Sequence, residues 1–515
     1  MGSLYTFRGS KIGLWASAKA VDKSTIAEGG CIDAILPPSA IVDFRRFGAV
    51  QRPIFEPRKV YAHMNQLFFS MFGIVCLLNI NYTILRSARN ALAVADLGGG
   101  AGSIPWFELC GTMPGAVVMT LLLTYLLNRH SIRRVFFTIL IAFVSFFLFF
   151  SLCVYPLLPH CKTFFANPAV ASFVPVFASM IFFVMAELWK IALLTVLFWG
   201  LVNQYVPLEN AKRYYAPLML GGSVGTILAG PLISLCTSDF LSHHSWTKSL
   251  SLLMWMLAIL SIAIALLFHF LWRHFSESAP PSPIDKPKEE PLSVWSSILI
   301  CCRSRYLLLL AWVTIADYIA YALGEIVFLD ILRQKFPDPR DYCDFMGRLS
   351  VWNGILTAVS ALIITPYLLR RCRWVIASLV TPICLLVTEG AFFFAVWHPT
   401  LSQQLEVLVF LGAVFFCLVR AAKYTLFDTS KEISFVLLPP LEKMQGKLVV
   451  DGMCARLGRG SGSFLTLALI QISGSVLATA PLAGGIALLI AFSCVLATSH
   501  LGALVEKKTV EGRSL

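Results

Sequence analysis

The chain has 515 residues, of which 57% are hydrophobic and only 13% are charged, and its mean hydropathy is +0.76. Because soluble proteins carry about 25% charged residues, this composition excludes a soluble globular domain and predicts an all-α polytopic membrane protein. The net charge of +13 fits the excess of Lys and Arg in cytoplasmic loops, so we expect membrane lipids as surroundings and no nucleic acid as a partner.

Residues 1–60 are polar and basic and contain no apolar core of the signal-peptide type. We predict that they form a cytoplasmic segment. A short myristoylation pattern at 1–6 and a Ser-rich composition leave a lipid anchor or an organellar transit peptide as alternatives. The cysteines show no C-x-x-C spacing, so neither a disulfide framework nor a metal site is expected.

A membrane-spanning helix needs about 20 apolar residues, and the sequence predicts twelve of them. In chain order they cover 63–86, 104–127, 135–156, 174–203, 214–236, 249–272, 306–330, 347–369, 374–397, 404–436, 447–475 and 480–503.

The distribution of Lys and Arg predicts the orientation of these helices. Basic loops precede the first helix, lie between the second and third and between the eighth and ninth, and follow the twelfth. The loops at 88–103, 398–403 and 476–480 carry almost no Lys or Arg. Both termini are therefore predicted to be cytoplasmic.

A Pro-rich, charged linker divides the chain, and short motifs recur on both sides of it. Pro207-Leu208-Glu209 returns as Pro440-Leu441-Glu442, and Lys190 returns as Lys423, both 233 residues later. We therefore predict two related six-helix halves in a major-facilitator-like arrangement, with the site between them. The predicted parts are a cytoplasmic N-terminal segment at 1–60, a six-helix bundle at 61–272, a cytoplasmic linker at 273–304, a second six-helix bundle at 305–503 and a cytoplasmic tail at 504–515.

Motifs for nucleotide hydrolysis, for a serine nucleophile and for a zinc protease are absent from the sequence. The glycine-rich stretches lie inside apolar helices, where small residues let helices pack closely. We predict that the chain is not an enzyme and that it needs no cofactor.

Charged residues inside the predicted helices are the main functional signal, because a charge at mid-membrane costs roughly 2.5–3.5 kcal/mol. Arg86 and Arg89 share a face near the predicted outer end of the first helix. Glu187 lies in the fourth helix, three residues before Lys190, and Glu325 ends an apolar run in the seventh.

The stretch 405–476 is the richest in charge and contributes Arg420, Lys423, Asp428, Asp451, Arg456 and Arg459. Arginine binds phosphate through two hydrogen bonds and lysine binds it as a point charge. An excess of cations over carboxylates predicts a wet cavity that receives an anion, and it suits a di- or triphosphate better than a sugar or an amino acid. Tyr82 and Tyr214 are candidates for stacking on the base.

Several of these stretches resemble the ATP/ADP translocase (nucleotide transporter) family of obligate intracellular bacteria and plastids. They include Asn81-Tyr82-Thr83-Ile84-Leu85-Arg86, Ala186-Glu187-Leu188-Trp189 and the block from Lys423 to Glu432. The resemblance covers roughly 60–505. It implies a fold similar to that of the major facilitators and either ATP/ADP exchange or proton-linked nucleotide import.

The family's functional residues map onto this chain only in part. By motif, its two glutamates fall on Glu187 and Glu325, and its two lysines fall where this chain has Arg89 and Arg459. Two acidic residues of the family's first helix are replaced by Ser87 and Asn90. The first helix is therefore more cationic here, which favours a different nucleotide selectivity or coupling.

Together these observations predict a secondary transporter of nucleoside phosphates in a bacterial inner membrane, working as a monomer. Arg86, Arg89, Lys423, Arg456 and Arg459 are assigned to the phosphates of ATP, GTP, UTP, CTP or ADP. Coupling and gating are assigned to a second group: Glu187, Lys190, Glu325, Asp428 and Asp451. Proton-coupled import and ATP/ADP antiport stay open, as does an anionic-lipid flippase or membrane enzyme.

Overall fold

The computed structural model describes residues 57–97, 99–160, 167–205, 208–275 and 294–511. Within these ranges the regular structure is helical throughout, and Arg58–Leu515 cluster into one compact unit. Most of the predicted N-terminal segment, residues 276–293 of the linker and the last four residues of the tail lie outside the described part of the chain.

Among the residues that the structure describes, eleven helices are long and apolar enough to cross a membrane. We number them by position: α1 Asn65–Asp96, α2 Ser103–Arg129, α3 Ile132–His160, α4 Pro168–Tyr205, α5 Pro217–Thr237, α6 Trp246–Phe275, α7 Arg305–Lys335, α8 Pro339–Arg371, α9 Trp374–Trp397, α10 Leu405–Val436 and α12 Val476–Lys508.

The predicted eleventh span is helical but is not among these eleven. Pro440–Lys447, Leu448–Cys454 and Ala455–Ser473 follow one another without a break, and together we call them α11. Its length is ample for a bilayer, but Asp451, Arg456 and Arg459 make it less apolar than the others. The number twelve therefore stays a prediction, whereas the multi-pass architecture is confirmed.

The first helix continues past the end that hydropathy predicts. The apolar run stops at Arg86, but the helix proceeds to Asp96 through small residues. At about 1.5 Å per residue, ten further residues place Arg86 about 15 Å below this end. The prediction that Arg86 and Arg89 lie near the outer end was wrong, because Arg86, Ser87, Arg89 and Asn90 interrupt the apolar run without ending the helix.

Wide π-helical turns interrupt the α-helical geometry in several spans. Three of them, at Phe107–Thr112, Phe150–Val154 and Ser360–Ile364, stand just before a proline, whose ring clashes with the preceding turn. Two others begin at Lys190 in α4 and at Lys423 in α10. These lysines are the pair that the sequence repeat relates, and π-helical turns are frequent at functional sites.

Phenylalanine rings fill much of the interior. The rings of Phe136 on α3 and Phe268 on α6 stack with their centroids 4.2 Å apart, and Phe147 on α3 meets Phe182 on α4 edge to face at 5.2 Å. Large apolar side chains such as Leu121, Ile141 and Leu489 are exposed on the outside of the helices. An exterior of this kind is suited to lipid rather than water.

Two seams join α1–α6 to α7–α12. In the first, α5 crosses α8 through small residues: a Cβ on Gly230 would lie 2.8 Å from the carbonyl oxygen of Gly347. In the second, α2 lies along α11, where a Cβ on Gly460 would lie 2.8 Å from Met113. The backbone contact at Gly230 requires glycine. At Gly460 the neighbour is the flexible end of the Met113 side chain, so this contact restricts the residue type less.

Candidate functional site

A buried ion pair lies at the centre of the first six helices. The Nη1 atom of Arg89 on α1 is 2.5 Å from the Oε1 atom of Glu187 on α4. The same oxygen accepts a hydrogen bond of 3.2 Å from the Tyr82 hydroxyl. The Arg89 guanidinium also lies over the Phe183 ring, 4.1 Å from its centroid. Removing one partner of such a pair leaves an uncompensated charge in a dry environment.

The ammonium group of Lys190 occupies the other side of Tyr82, 5.4 Å from the centroid of its ring. Lys190 interacts electrostatically with Glu187, Tyr424 and Arg459. Lys190, three residues after Glu187 in the sequence, therefore lies near it, but the direct ion pair is made by Arg89.

Arg86 reaches across to the second six helices. Its Cζ atom lies 5.1 Å from the centroid of the Phe416 ring on α10, and the Cζ atom of Arg420 lies 4.8 Å from the same centroid. One aromatic ring thus contacts two guanidinium groups, one from each set of helices.

The second six helices bring their own charges to the same place. Glu325 on α7 accepts a hydrogen bond of 3.4 Å from Tyr321 and interacts electrostatically with Arg86, Arg89 and Arg459. Arg459 on α11 interacts in turn with Glu187 and Glu325. We call Arg86, Arg89, Glu187, Lys190, Glu325 and Arg459 the central charge cluster.

Several donor atoms of this region lack a partner. Nη2 of Arg86, Nε of Arg89 and Nη1 of Arg420 are buried and make no hydrogen bond to any described residue. Buried polar groups are normally satisfied, and an unmade bond costs about 1–3 kcal/mol. An anion with several acceptor oxygens would satisfy these donors together.

Two residues predicted to bind phosphate are placed elsewhere. Lys423 is held in an ion pair with Asp317 of α7, and the two side chains are 8% and 2% exposed. Its ammonium group also lies 3.3 Å from the centroid of the Tyr318 ring. Arg456 is exposed and, within the described part of the chain, makes no ion pair. Neither residue joins the central charge cluster.

The predicted gating residues Asp428 and Asp451 form a separate group. Lys431 on α10 bridges them, with its Nζ atom 3.3 Å from Asp428 and 2.8 Å from Asp451. Because Asp428 belongs to α10 and Asp451 to α11, this group ties the two helices together. The side chain of Tyr214 is outside the described residues, so its predicted stacking role rests on sequence alone.

Glu108 of α2 is a cluster neighbour that the sequence reasoning missed. It accepts a hydrogen bond of 2.7 Å from Ser463, and its Oε1 atom is 3.6 Å from Nη1 of Arg459. The sequence could have indicated this residue, because Glu108 is a lone carboxylate in an apolar helix, as Glu187 is. Arg420 was noted as an intramembrane charge, but its position beside Arg86 on the Phe416 ring depends on packing between α1 and α10.

The sequence as a whole agrees with a known family. The sequence profile described as "TLC ATP/ADP transporter" matches residues 45–504. The chain belongs to the TLC ATP/ADP transporter family.

Curated members of the TLC family resemble this chain over most of its length. An "ADP,ATP carrier protein 1" of Chlamydia trachomatis serovar D is 33% identical over 455 residues, which are 81% of this chain and 85% of the relative. The "Plastidic ATP/ADP-transporter" of Solanum tuberosum is 31% identical over 83% of this chain and 71% of the relative. These relatives are carriers, which agrees with the prediction that the chain is not an enzyme.

Solved structures similar to this TLC family member show the same fold at low identity. A POT family transporter in complex with 5-aminolevulinic acid aligns with a TM-score of 0.55 at 10% identity, covering 86% of this chain and 96% of the other. A bacterial homologue of the iron transporter ferroportin in an inward-facing state aligns with a TM-score of 0.53 at 15% identity, covering 83% and 98%. The major-facilitator-like architecture is thereby confirmed.

Proposed function

We propose that this protein is a secondary transporter that moves nucleoside di- and triphosphates across a membrane by alternating access. Membership of the TLC family supports the substrate class, because the relatives carry the names of ATP and ADP carriers. The observation that carries the proposal is the meeting of cations from both sets of helices, Arg86, Arg89 and Lys190 from the first and Arg459 from the second.

Phosphate binding is assigned to Arg86, Arg89 and Arg459. Arginine forms charge-assisted, bidentate hydrogen bonds with phosphate oxygens, and these are roughly twice as strong as neutral ones. The unpartnered donors of Arg86 and Arg89 are the groups that a polyphosphate would satisfy. The proposal leaves Lys423 to its pair with Asp317 and does not extend to the exposed Arg456.

Glu187 and Glu325 are assigned to gating. Each carboxylate lies among the cations that would receive the phosphates, so each competes with the substrate for the same positive charge. An empty carrier would hold its arginines on these carboxylates, and a bound nucleotide would redistribute them. A rearrangement of this kind can couple substrate binding to the reorientation of the two sets of helices.

Two modes of transport are supported by different observations. The names of the relatives favour exchange of ATP for ADP. Ser87 and Asn90, which stand where the family has acidic residues, favour a member with altered coupling, such as proton-linked import. Because one chain supplies both sides of the cluster, we propose a monomer in a bacterial inner membrane with both termini cytoplasmic.

Uptake of labelled nucleotides into proteoliposomes tests the function and separates the modes. For exchange, uptake of ATP requires ADP or ATP inside the vesicles and is insensitive to an uncoupler. For proton-linked import, uptake needs no internal nucleotide and collapses when an uncoupler is added. Absence of uptake of every nucleoside di- and triphosphate, with and without internal nucleotide, would reject the proposal.

A further inference from the structure

Glu108 connects the charge cluster to the seam between α2 and α11. Its carboxylate is 15% exposed and is contacted only loosely by Arg459, at 3.6 Å, whereas Ser463 donates a hydrogen bond of 2.7 Å. Both partners lie on α11. The contact therefore joins one helix of the first set to one helix of the second.

The seam beside Glu108 is closely packed. A Cβ on Gly102, just before α2, would lie 3.3 Å from Val476 and 3.4 Å from Ile470, and Met113 packs against Gly460. These contacts stand on the side of the segments 97–102 and 474–475, which join α1 to α2 and α11 to α12 and carry no Lys or Arg. A transporter that opens its site to that side has to part α2 from α11, and with them Glu108 from Arg459 and Ser463.

The same Arg459 is one of the proposed phosphate ligands, so it serves two anions. Its side chain is 35% exposed, and its one ion pair among the described residues is the one with Glu108. A phosphate can take two parallel hydrogen bonds from a guanidinium and carries more charge than a carboxylate. A phosphate close to Glu108 also repels its carboxylate. Binding of one anion to Arg459 therefore weakens the binding of the other.

We propose that Glu108 is a latch that the phosphate of the substrate displaces from Arg459. In the empty carrier, Glu108 holds α11 against α2 and keeps the seam shut. When a nucleotide binds, Arg459 turns to the phosphate, the seam loses its charged contact, and reorientation becomes easier. This inference rests on the proposed function and adds to it a residue that makes the empty carrier slow to reorient.

Binding of labelled ATP to the purified full chain tests the latch. In Glu108→Gln the side chain keeps its size and its bond to Ser463 but no longer competes with phosphate for Arg459. We expect the Kd for ATP to fall about five-fold, the order of one partly exposed ion pair. Glu406→Gln is the matched control, because it removes an exposed ion pair with Lys335 that includes neither Glu108 nor Arg459, and we expect its Kd to equal that of the wild type.

Efflux of labelled ATP from loaded proteoliposomes into nucleotide-free buffer gives a second measurement. This cycle requires the empty carrier to return, so we expect Glu108→Gln to be about five-fold faster than the wild type. Ser463→Ala removes the hydroxyl but leaves Glu108 to compete for Arg459, and we expect a smaller increase. Thermal unfolding of each variant checks that the fold is intact.

The outcomes separate the latch from the function on which it rests. A Kd of Glu108→Gln that is unchanged or higher, or an efflux rate equal to that of the wild type, overturns the latch. A wild-type chain that binds no ATP and no other nucleoside triphosphate overturns the proposed function, and the latch with it.

Discussion

At the scale of single residues, several intramembrane charges are explained by their partners. Arg89 and Glu187 neutralise each other, as do Lys423 and Asp317, and Lys431 serves both Asp428 and Asp451. Charges in apolar surroundings are tolerated when they are paired and hydrogen-bonded. The residues that retain unpartnered donors, among them Arg86 and Arg420, are therefore the ones with capacity left for a ligand.

The pair of Arg89 and Glu187 predicts that stability and transport respond differently to substitution. Arg89→Gln strands the buried Glu187 and should cost about 3–5 kcal/mol of unfolding free energy. Arg89→Gln/Glu187→Gln should regain most of that stability but should still take up ATP about ten-fold more slowly or worse, because the phosphate ligand is gone. Thermal unfolding and uptake of labelled ATP measure the two effects. Full uptake by the stable double variant would remove Arg89 from the site.

The pair of Lys423 and Asp317 predicts that transport persists when both charges are removed. Lys423→Met/Asp317→Leu replaces a buried ion pair by apolar groups, which is often neutral or stabilising. We expect the double variant to unfold within about 1 kcal/mol of the wild type or above it and to keep its ATP uptake, whereas Lys423→Met alone should be destabilised. Loss of uptake in a stable double variant would return Lys423 to the phosphate site.

At the scale of helices, the sequence predicts the spans well and their ends less well. The positions of eleven spans follow from apolar runs, because a segment inside a bilayer has to satisfy its backbone hydrogen bonds internally and a helix does so. The extension of α1 to Asp96 escapes hydropathy because Arg86, Ser87, Arg89 and Asn90 interrupt the apolar run without ending the helix. The contact of Glu108 with α11 and the approach of Arg86 to the Phe416 ring also escape it, since both depend on which faces of distant helices meet.

The crossing of α5 and α8 gives a prediction about packing. A Cβ on Gly230 would come within 2.1 Å of Val351 and 2.8 Å of the Gly347 backbone. Gly230→Ala should therefore lower the unfolding free energy by about 1–3 kcal/mol through overpacking. Gly485→Ala in α12 is the control: a Cβ on Gly485 would have no atom of the described residues within 4 Å, and a helical Ala should gain about 0.5–1 kcal/mol over Gly. Equal melting temperatures for the two variants would contradict this account of the seam.

At the scale of the whole molecule, two sets of six predicted helices meet along two seams, with the charge cluster between them. Neither set holds the complete charge cluster, because Arg86, Arg89 and Glu187 come from the first and Glu325 and Arg459 from the second. The repeat in the sequence, from Lys190 to Lys423, predicts this division. It does not predict that the two lysines take different roles, one beside Tyr82 and the other in a pair with Asp317.

The predicted orientation of the helices in the membrane determines where a fused reporter protein is active. A fluorescent protein fused after Leu515 should fluoresce, because the C-terminus is predicted to be cytoplasmic. Alkaline phosphatase inserted in the loop 398–403 should be active, and the same insertion after Arg371 should be inactive. The reverse pattern would invert the orientation and the direction in which the seam of α2 and α11 opens.

The most direct test of the central claim compares two arginines three residues apart on α11. Arg459 belongs to the charge cluster, whereas Arg456 is exposed and makes no ion pair within the described residues. We predict that Arg459→Gln lowers uptake of labelled ATP by expressing bacteria about ten-fold or more, normalised to protein in the membrane, and that Arg456→Gln leaves it near the wild-type rate. Undiminished uptake by Arg459→Gln, or equal loss in both variants, would contradict a phosphate site between the two sets of helices.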